Sequence, residues 1–91
     1  MANFVETAGY KVVSATGNVT AIRGDMLGIF VSAASSTPTI AVYDSATTTT
    51  TDPIVTVFTP VAGTFYRIPA SYESGLYVVI GGTVSATVFF A

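Results

Sequence analysis

Near the end of the chain, residues 75–90 read GLYVVIGGTVSATVFF, two runs of β-branched and aromatic residues joined by Gly81-Gly82. Residues of these types favour extended backbone. A Gly-Gly pair between two such runs predicts a two-residue hairpin turn, because glycine readily takes positive φ at both turn positions. In the second run, Val84, Ala86 and Val88 alternate with serine and threonine. We therefore expect a strand with one buried face and one mostly polar face.

The rest of the chain repeats this arrangement of short runs and turn residues. Glycine, proline, asparagine or aspartate interrupts it roughly every 8–12 residues, a spacing typical of β-sandwiches and barrels, and no segment has a helical period. We predict an all-β fold, namely a single small antiparallel β-sandwich or jelly-roll-like barrel of about eight strands. One domain spans residues 1–91, and residues 1–9 are a candidate N-terminal arm. The predicted strands are Tyr10–Thr16, Val19–Arg23, Met26–Ala34, Thr39–Asp44, Ile54–Thr59, Thr64–Ile68, Gly75–Ile80 and Thr83–Phe90.

Two of the predicted strands, Met26–Ala34 and Ile54–Thr59, carry apolar side chains on both faces. In the first, alternation places Leu27, Ile29, Val31 and Ala33 on one face and Phe30 and Ala34 on the other. Strands that are apolar on both faces lie centrally or cover a second surface. A 91-residue sandwich has no helix layer to cover its outer face, so another protein chain is a candidate for that cover.

The composition also indicates a partner. Charged residues make up 9% of the chain, against about 25% in an average soluble domain, and mean hydropathy is +0.67. Threonine and serine could solvate the surface, but large apolar patches usually mark interaction surfaces, and we favour burial by a partner. A domain this small often needs a disulfide, a metal or oligomerisation for stability. Cysteine and histidine are absent from the sequence, which leaves oligomerisation.

Several partner classes are excluded on the same grounds. Three basic residues, Lys11, Arg23 and Arg67, are too few and too scattered to neutralise a nucleic-acid backbone. No apolar run reaches the about 18 residues that a membrane-spanning helix needs. Residues 1–6 lack the basic start and apolar core of a secretory signal. We therefore expect no nucleic acid and no membrane as partner, and assembly in the cytoplasm.

The titratable residues do not suggest catalysis. Without histidine there is no Ser-His-Asp triad, and the charged residues are scattered, most of them beside turns. Asp25, Asp44 and Asp52 are expected to bond nearby backbone N–H groups. Asp44 and Asp52 bracket one loop and form a weak calcium candidate. We predict that the chain is not an enzyme and has no catalytic residue, cofactor or metal.

Two short motifs have competing interpretations. Arg23-Gly24-Asp25 matches a cell-adhesion tripeptide, but we favour a turn with glycine at positive φ between two strands. Thr47–Thr51 is a run of five threonines. We predict that it is an exposed loop, the alternative being a continued strand.

Aromatic side chains are the remaining candidates for function. The five tyrosines could stack on sugars in a lectin-like cleft, yet tyrosine is also common at strand edges and protein interfaces. We favour core or interface positions. The predicted interface residues are Phe4, Val5, Phe30, Tyr43, Phe58, Tyr72 and Phe89.

Most of the chain, from about residue 20 to residue 91, resembles small β-sandwich virion proteins of tailed bacteriophages. The resemblance lies in strand patterning and turn residues over Leu27–Ala34, Thr39–Ser45, Phe58–Pro69, Gly75–Ile80 and Gly82–Phe90. It implies a capsid decoration (cement) protein on the capsid surface of the virion, or a related tail or fibre component. It also implies a homo-oligomer, a trimer by preference, bound to the major capsid protein or another virion protein. No individual functional residue carries over, because the shared pattern is structural. A carbohydrate-binding module is the alternative from another functional class.

Overall fold

The computed structural model describes residues 9–91, which form one six-stranded antiparallel sheet and contain no helix. The strands are β1 (Gly9–Val13), β2 (Gly17–Thr20), β3 (Gly24–Asp44), β4 (Pro53–Phe58), β5 (Thr64–Tyr72) and β6 (Leu76–Phe90). The all-β prediction is confirmed, but the strands number six rather than eight. The predicted contact residues Phe4 and Val5 lie outside the described residues.

The count differs because two pairs of predicted strands are continuous. The runs Met26–Ala34 and Thr39–Asp44 merge into β3, and Gly75–Ile80 and Thr83–Phe90 merge into β6. The hairpin predicted at Gly81-Gly82 is therefore wrong. The two runs of β6 both pair with β3 and not with each other, so the glycines mark a bend within one long strand.

That bend is a corner shared by β3 and β6. Ser35 pairs with Thr83 and Thr39 with Gly81, so residues 36–38 bulge out of β3 opposite Gly82. Backbone φ is positive at the corner on both strands, 59° at Ser36, 55° at Thr37 and 70° at Gly82. An extra segment of this kind bends a strand sharply. The 21 residues of β3, which would span about 70 Å if straight, thereby fit a molecule whose longest dimension is 43 Å.

The corner divides the sheet into two halves. In the first half, the strand order is β1-β6-β3-β5, and it uses the C-terminal part of β6 and the N-terminal part of β3. In the second half, the order is β2-β6-β3-β4, and it uses the other parts of the same two long strands. Every strand of either half is thus attached to β3 or β6.

Both halves contribute to a single hydrophobic core. Val84, Ala86 and Val88 are buried as their alternation predicts. In β3, however, the predicted face is only partly right, because register shifts follow Met26 and Val31 and change which residues point inward. The fully buried side chains of the first half are Met26, Ile29, Val31 and Val88, and those of the second half are Ile40, Val42, Leu76 and Val78. Each contributes about 1.5–3 kcal/mol of transfer free energy.

Candidate interaction face

The outward side of the first half carries a cluster of aromatic and apolar residues. Residues directly opposite each other on neighbouring antiparallel strands share a face, and the register gives two such rows. One row joins Tyr10, Phe89, Gly28 and Arg67 across the four strands. The next row joins Val12, Thr87, Phe30 and Phe65. We call the set Tyr10, Val12, Phe30, Phe65 and Phe89 the outer aromatic face.

This face is open to solvent in the isolated chain. The exposed fraction is 67% for Tyr10, 61% for Val12, 49% for Phe65 and 39% for Phe30. On the scale of about 150–250 Å² for a whole aromatic side chain, these four residues expose on the order of 400 Å². Apolar patches of about 300–600 Å² are the largest that typical monomers carry, and they are often functional.

The aromatic rings on this face are held in place by the strands beneath them. The tip of the Phe65 ring lies over Gly28, where an added Cβ would be 2.6 Å from the Phe65 Cζ atom. The same ring meets Phe89 edge-on, with 6.2 Å between ring centroids and 69° between planes. Glycine at position 28 therefore makes room for Phe65 to pack across β3 onto β6.

Charge is sparse on this side of the sheet. Of the eight positions in the two rows, Arg67 is the charged one. Further along the same strands, the hydroxyl of Ser32 donates a hydrogen bond to the carbonyl oxygen of Ser85 at 3.0 Å. The face thus combines an apolar centre, a polar hydroxyl border and one cation.

The predicted interface residues fall in different places. Phe30 and Phe89 belong to the outer aromatic face. Tyr43 lies in the second half, half-buried, with its ring centroid 6.3 Å from that of Tyr77. Phe58 is half-buried and packs against the core.

The prediction that Tyr72 is an interface residue is wrong, because Tyr72 lies in the core with 2% of its surface exposed. Burial, with a smaller contribution from the Asp25 carboxylate, raises the pKa of its hydroxyl. A side chain in this position has almost no surface to offer a partner.

Sequence reasoning missed Tyr10, Val12 and Phe65 as members of the face. Strand alternation puts Tyr10 and Val12 on one side of β1 and Lys11 and Val13 on the other, but among these four residues Val13 alone is buried. Phe65 alternates in the same way with half-buried Tyr66. What the sequence does not contain is the register that brings these residues together.

Asp44 is the most heavily bonded acidic side chain among the described residues. Its carboxylate accepts hydrogen bonds from the backbone N–H groups of Glu73 at 2.9 Å, Ser74 at 2.8 Å and Gly75 at 3.4 Å. The bonds from Glu73 and Ser74 lower the pKa of Asp44 below its usual 3.8. Asp44 accepts hydrogen bonds from backbone N–H groups as predicted, but the prediction that these groups are nearby in sequence is wrong, because the bonded turn lies about 30 positions further along the chain.

The calcium candidate gains no support from this arrangement. The Asp44 carboxylate is already hydrogen-bonded to the turn between β5 and β6. The contact between Asp44 and Asp52 is a backbone hydrogen bond, in which the Asp44 N–H donates to the Asp52 carbonyl oxygen at 2.9 Å. Within residues 9–91, no group of three or more acidic, histidine or cysteine side chains could hold a metal ion.

The threonine run Thr47–Thr51 is an exposed loop, as predicted. Its start is organised by Ser45, a buried polar residue whose hydroxyl oxygen accepts hydrogen bonds from the N–H of Thr47 at 3.0 Å and of Thr49 at 3.1 Å. The Asn18 side chain donates to the Ser45 carbonyl at 3.1 Å. One buried hydroxyl therefore fixes the first part of the loop.

Arg23-Gly24-Asp25 leads directly into β3, with Gly24 paired to Tyr72 and Asp25 to Ser71. The prediction of a turn glycine at positive φ is wrong, because Gly24 begins a strand and positive-φ glycines in the described chain occur at Gly63 and Gly82. Glycine is needed at position 24 for space, since an added Cβ would lie 2.6 Å from the Ala91 carbonyl oxygen. The hydroxyl of Ser71 donates to the Asp25 carboxylate at 2.8 Å, which holds it against the sheet.

In the described part of the chain, no helix is long and apolar enough to cross a membrane. Comparison with protein-family models, with curated proteins and with solved structures found no match to this chain.

Proposed function

We propose that this chain is a structural virion protein of a tailed phage, a capsid decoration (cement) protein that acts through protein–protein contacts on the capsid surface. The observation that carries the proposal is the outer aromatic face, because an exposed apolar patch on a charge-poor domain is typical of an assembly subunit. The assignment to a phage virion rests on the resemblance in strand patterning. A homo-oligomer and contact with the major capsid protein are part of the same proposal.

We also infer that the two halves of the sheet stack as a β-sandwich of jelly-roll-like form. Support comes from the corner at residues 36–38 and from the single core to which both halves contribute. A sandwich has two outward sides, and the outer aromatic face would be one of them.

Decoration would strengthen a capsid by burying apolar surface across subunit boundaries. Burial contributes about 25 cal/mol per Å² before ordering costs are subtracted, so an apolar contact of a few hundred Å² is weak on its own. Repetition over a lattice strengthens it, because oligomeric copies bind neighbouring sites at high effective concentration. The design therefore suits a protein that works in many copies.

The test is to add purified chain to phage particles that lack it and to measure occupancy and the temperature at which the particles open. We expect saturable binding and a higher opening temperature. A tail or fibre component is the alternative within the virion, and electron microscopy of labelled particles would place the chain on the tail instead. Absence of binding to any part of the particle would overturn the proposal.

A carbohydrate-binding module is the second candidate, since exposed aromatic rings can stack on sugars. Several of the five tyrosines are poorly placed to stack on a sugar, because Tyr72 is buried and Tyr43 is half-buried beside Tyr77. A glycan array decides between the two. Binding that Tyr10→Ala abolishes would support the module, and an array without hits would remove it.

A further inference from the structure

We propose that the outer aromatic face is the surface through which copies of this chain bind one another, face against face. The inference deepens the proposed function and rests on it. It assigns self-association to a specific set of side chains, Tyr10, Val12, Phe30, Phe65 and Phe89. It also assigns the mode of contact, which is packing of sheet faces and not pairing of strand edges.

The edges of the first half are poorly suited to pairing with another chain. On β1, Lys11 is opposite Val88, on the inward side of the sheet, and its Nζ atom donates to the Asn18 carbonyl at 2.9 Å. On β5, Pro69 has no N–H to offer, and it lies where the register between β3 and β5 shifts. Inward charges, proline and irregular register are the features by which natural sheets prevent edge-to-edge association. Within the first half, the exposed face is left as the contact surface.

Charge favours a second copy as the occupant. With Arg67 as the charged residue among its eight positions, the face has little potential to attract a strongly charged partner and little to repel its own duplicate. A partner with a charged surface would have to desolvate those charges against phenylalanine and valine. A copy of this face brings a single charge, that of Arg67 on the edge strand β5.

The exposed area agrees with a modest self-contact. Two copies would together cover on the order of 800 Å² from the exposed surfaces of Tyr10, Val12, Phe30 and Phe65. The bordering hydroxyl residues would add to this area. Standard interfaces bury about 1,200–2,000 Å² in total, so the contact lies below the lower limit. We therefore expect reversible, concentration-dependent association of the isolated chain.

Val12 provides a direct test because the chain offers a matched control. Val12 is 61% exposed on β1 within the face, and Val57 is 65% exposed on β4 in the other half. Sedimentation equilibrium of the full chain should show that Val12→Lys weakens association at least tenfold while Val57→Lys leaves it unchanged. Circular dichroism and thermal unfolding should be the same for both variants, since neither side chain is in the core.

A mixing experiment separates a surface effect from a folding effect. If Val12→Lys and Val12→Glu chains are each dissociated, an equal mixture should associate again, because the two faces then carry opposite charges. A chain that is monomeric at all concentrations, or association that Val57→Lys abolishes and Val12→Lys does not, would overturn the inference. A monomeric chain that still binds phage particles would leave the proposed function standing. An oligomer that binds no particle would overturn the proposed function alone.

Discussion

The carbonyl oxygen of Thr37 fills the space that a side chain at Gly82 would occupy. A Cβ added at Gly82 would lie 2.5 Å from that oxygen and equally close to the carbonyl oxygen of Ser36. The two strands that organise the sheet therefore meet closely at their shared corner, where the backbone of residues 36 and 37 lies against Gly82. Any residue larger than glycine on β6 at this point has to push β3 away.

Gly82→Ala is expected to lower the free energy of unfolding by about 2–4 kcal/mol, because it combines positive φ with a backbone clash. Gly63→Ala is the matched control. Gly63 also has positive φ, 79°, but no atom lies within 4 Å of its added Cβ, so we expect a loss of about 1 kcal/mol. Urea unfolding measures both values. Equal losses for the two variants would show that the contact with Thr37 is unimportant.

Thr37 itself is a β-branched residue at φ 55°, a conformation that costs such a residue about 1–2 kcal/mol. Asparagine tolerates this region better, so Thr37→Asn should raise the free energy of unfolding by about 0.5–1 kcal/mol. Thr56→Asn, at an exposed position of β4, should be neutral or destabilising because asparagine is disfavoured in strands. A destabilised Thr37→Asn chain would mean that the threonine side chain makes a needed contact at the corner.

The Asp44 carboxylate should make stability depend on pH in acid. The pKa of Asp44 is lower in the folded chain than its usual value of 3.8. The carboxylate therefore contributes fully to the free energy of unfolding above pH 3.8, and this contribution is lost as the pH falls through the lower pKa of the folded chain. Asp44→Asn should unfold more easily at pH 7, by about 1–3 kcal/mol for lost charged hydrogen bonds. Its stability should also vary less with pH below 4.

Asp52→Asn is the control for that measurement, because Asp52 belongs to the same loop but its carboxylate accepts no hydrogen bond from the described residues. Its unfolding free energy at pH 7 should stay within about 0.5 kcal/mol of the parent chain. Equal free energies of unfolding for the Asp44→Asn and Asp52→Asn chains would mean that the hydrogen bonds from the β5–β6 turn to Asp44 do not stabilise the fold.

Ser45→Ala should loosen the start of the threonine loop without unfolding the sheet. The substitution removes the acceptor for the N–H groups of Thr47 and Thr49. Their amide hydrogen exchange should become about tenfold faster, as expected for a loss near 1.4 kcal/mol. Exchange of the Val78 amide in the centre of β6 should not change. Unaltered exchange at Thr47 and Thr49 would mean that the loop does not depend on this hydroxyl.

Much of the fold could be predicted from local pattern. Alternation identified the buried side of β6 at Val84, Ala86 and Val88. Turn residues marked the strand ends near Pro60 and Gly63, but Pro38 and Pro69 lie within β3 and β5. The Gly81-Gly82 pair shows where local pattern fails. Positive φ suits a tight hairpin and a corner within a strand equally well, and the choice is made by β3, which lies 37 or more residues earlier in the chain.

The candidate site was predicted less completely than the fold. Phe30 and Phe89 are among the predicted interface residues, and register places both on the outer aromatic face. Tyr72 was predicted because tyrosine is common at strand edges and interfaces, but it is covered by the start of β3, next to Gly24. A sequence specifies which side chains are apolar, whereas strand pairing determines which of them share an open surface.

The continuity of β3 and β6 has a kinetic consequence. Neither half of the sheet has a central strand of its own, so both halves depend on the pairing of β3 with β6. That pairing joins residues 24–44 to residues 76–90 across the whole intervening segment, and closing so long a loop slows folding. Refolding should therefore take milliseconds to seconds, the range of β-proteins dominated by distant pairings. Newly synthesised chains would be prone to aggregation until β3 and β6 pair.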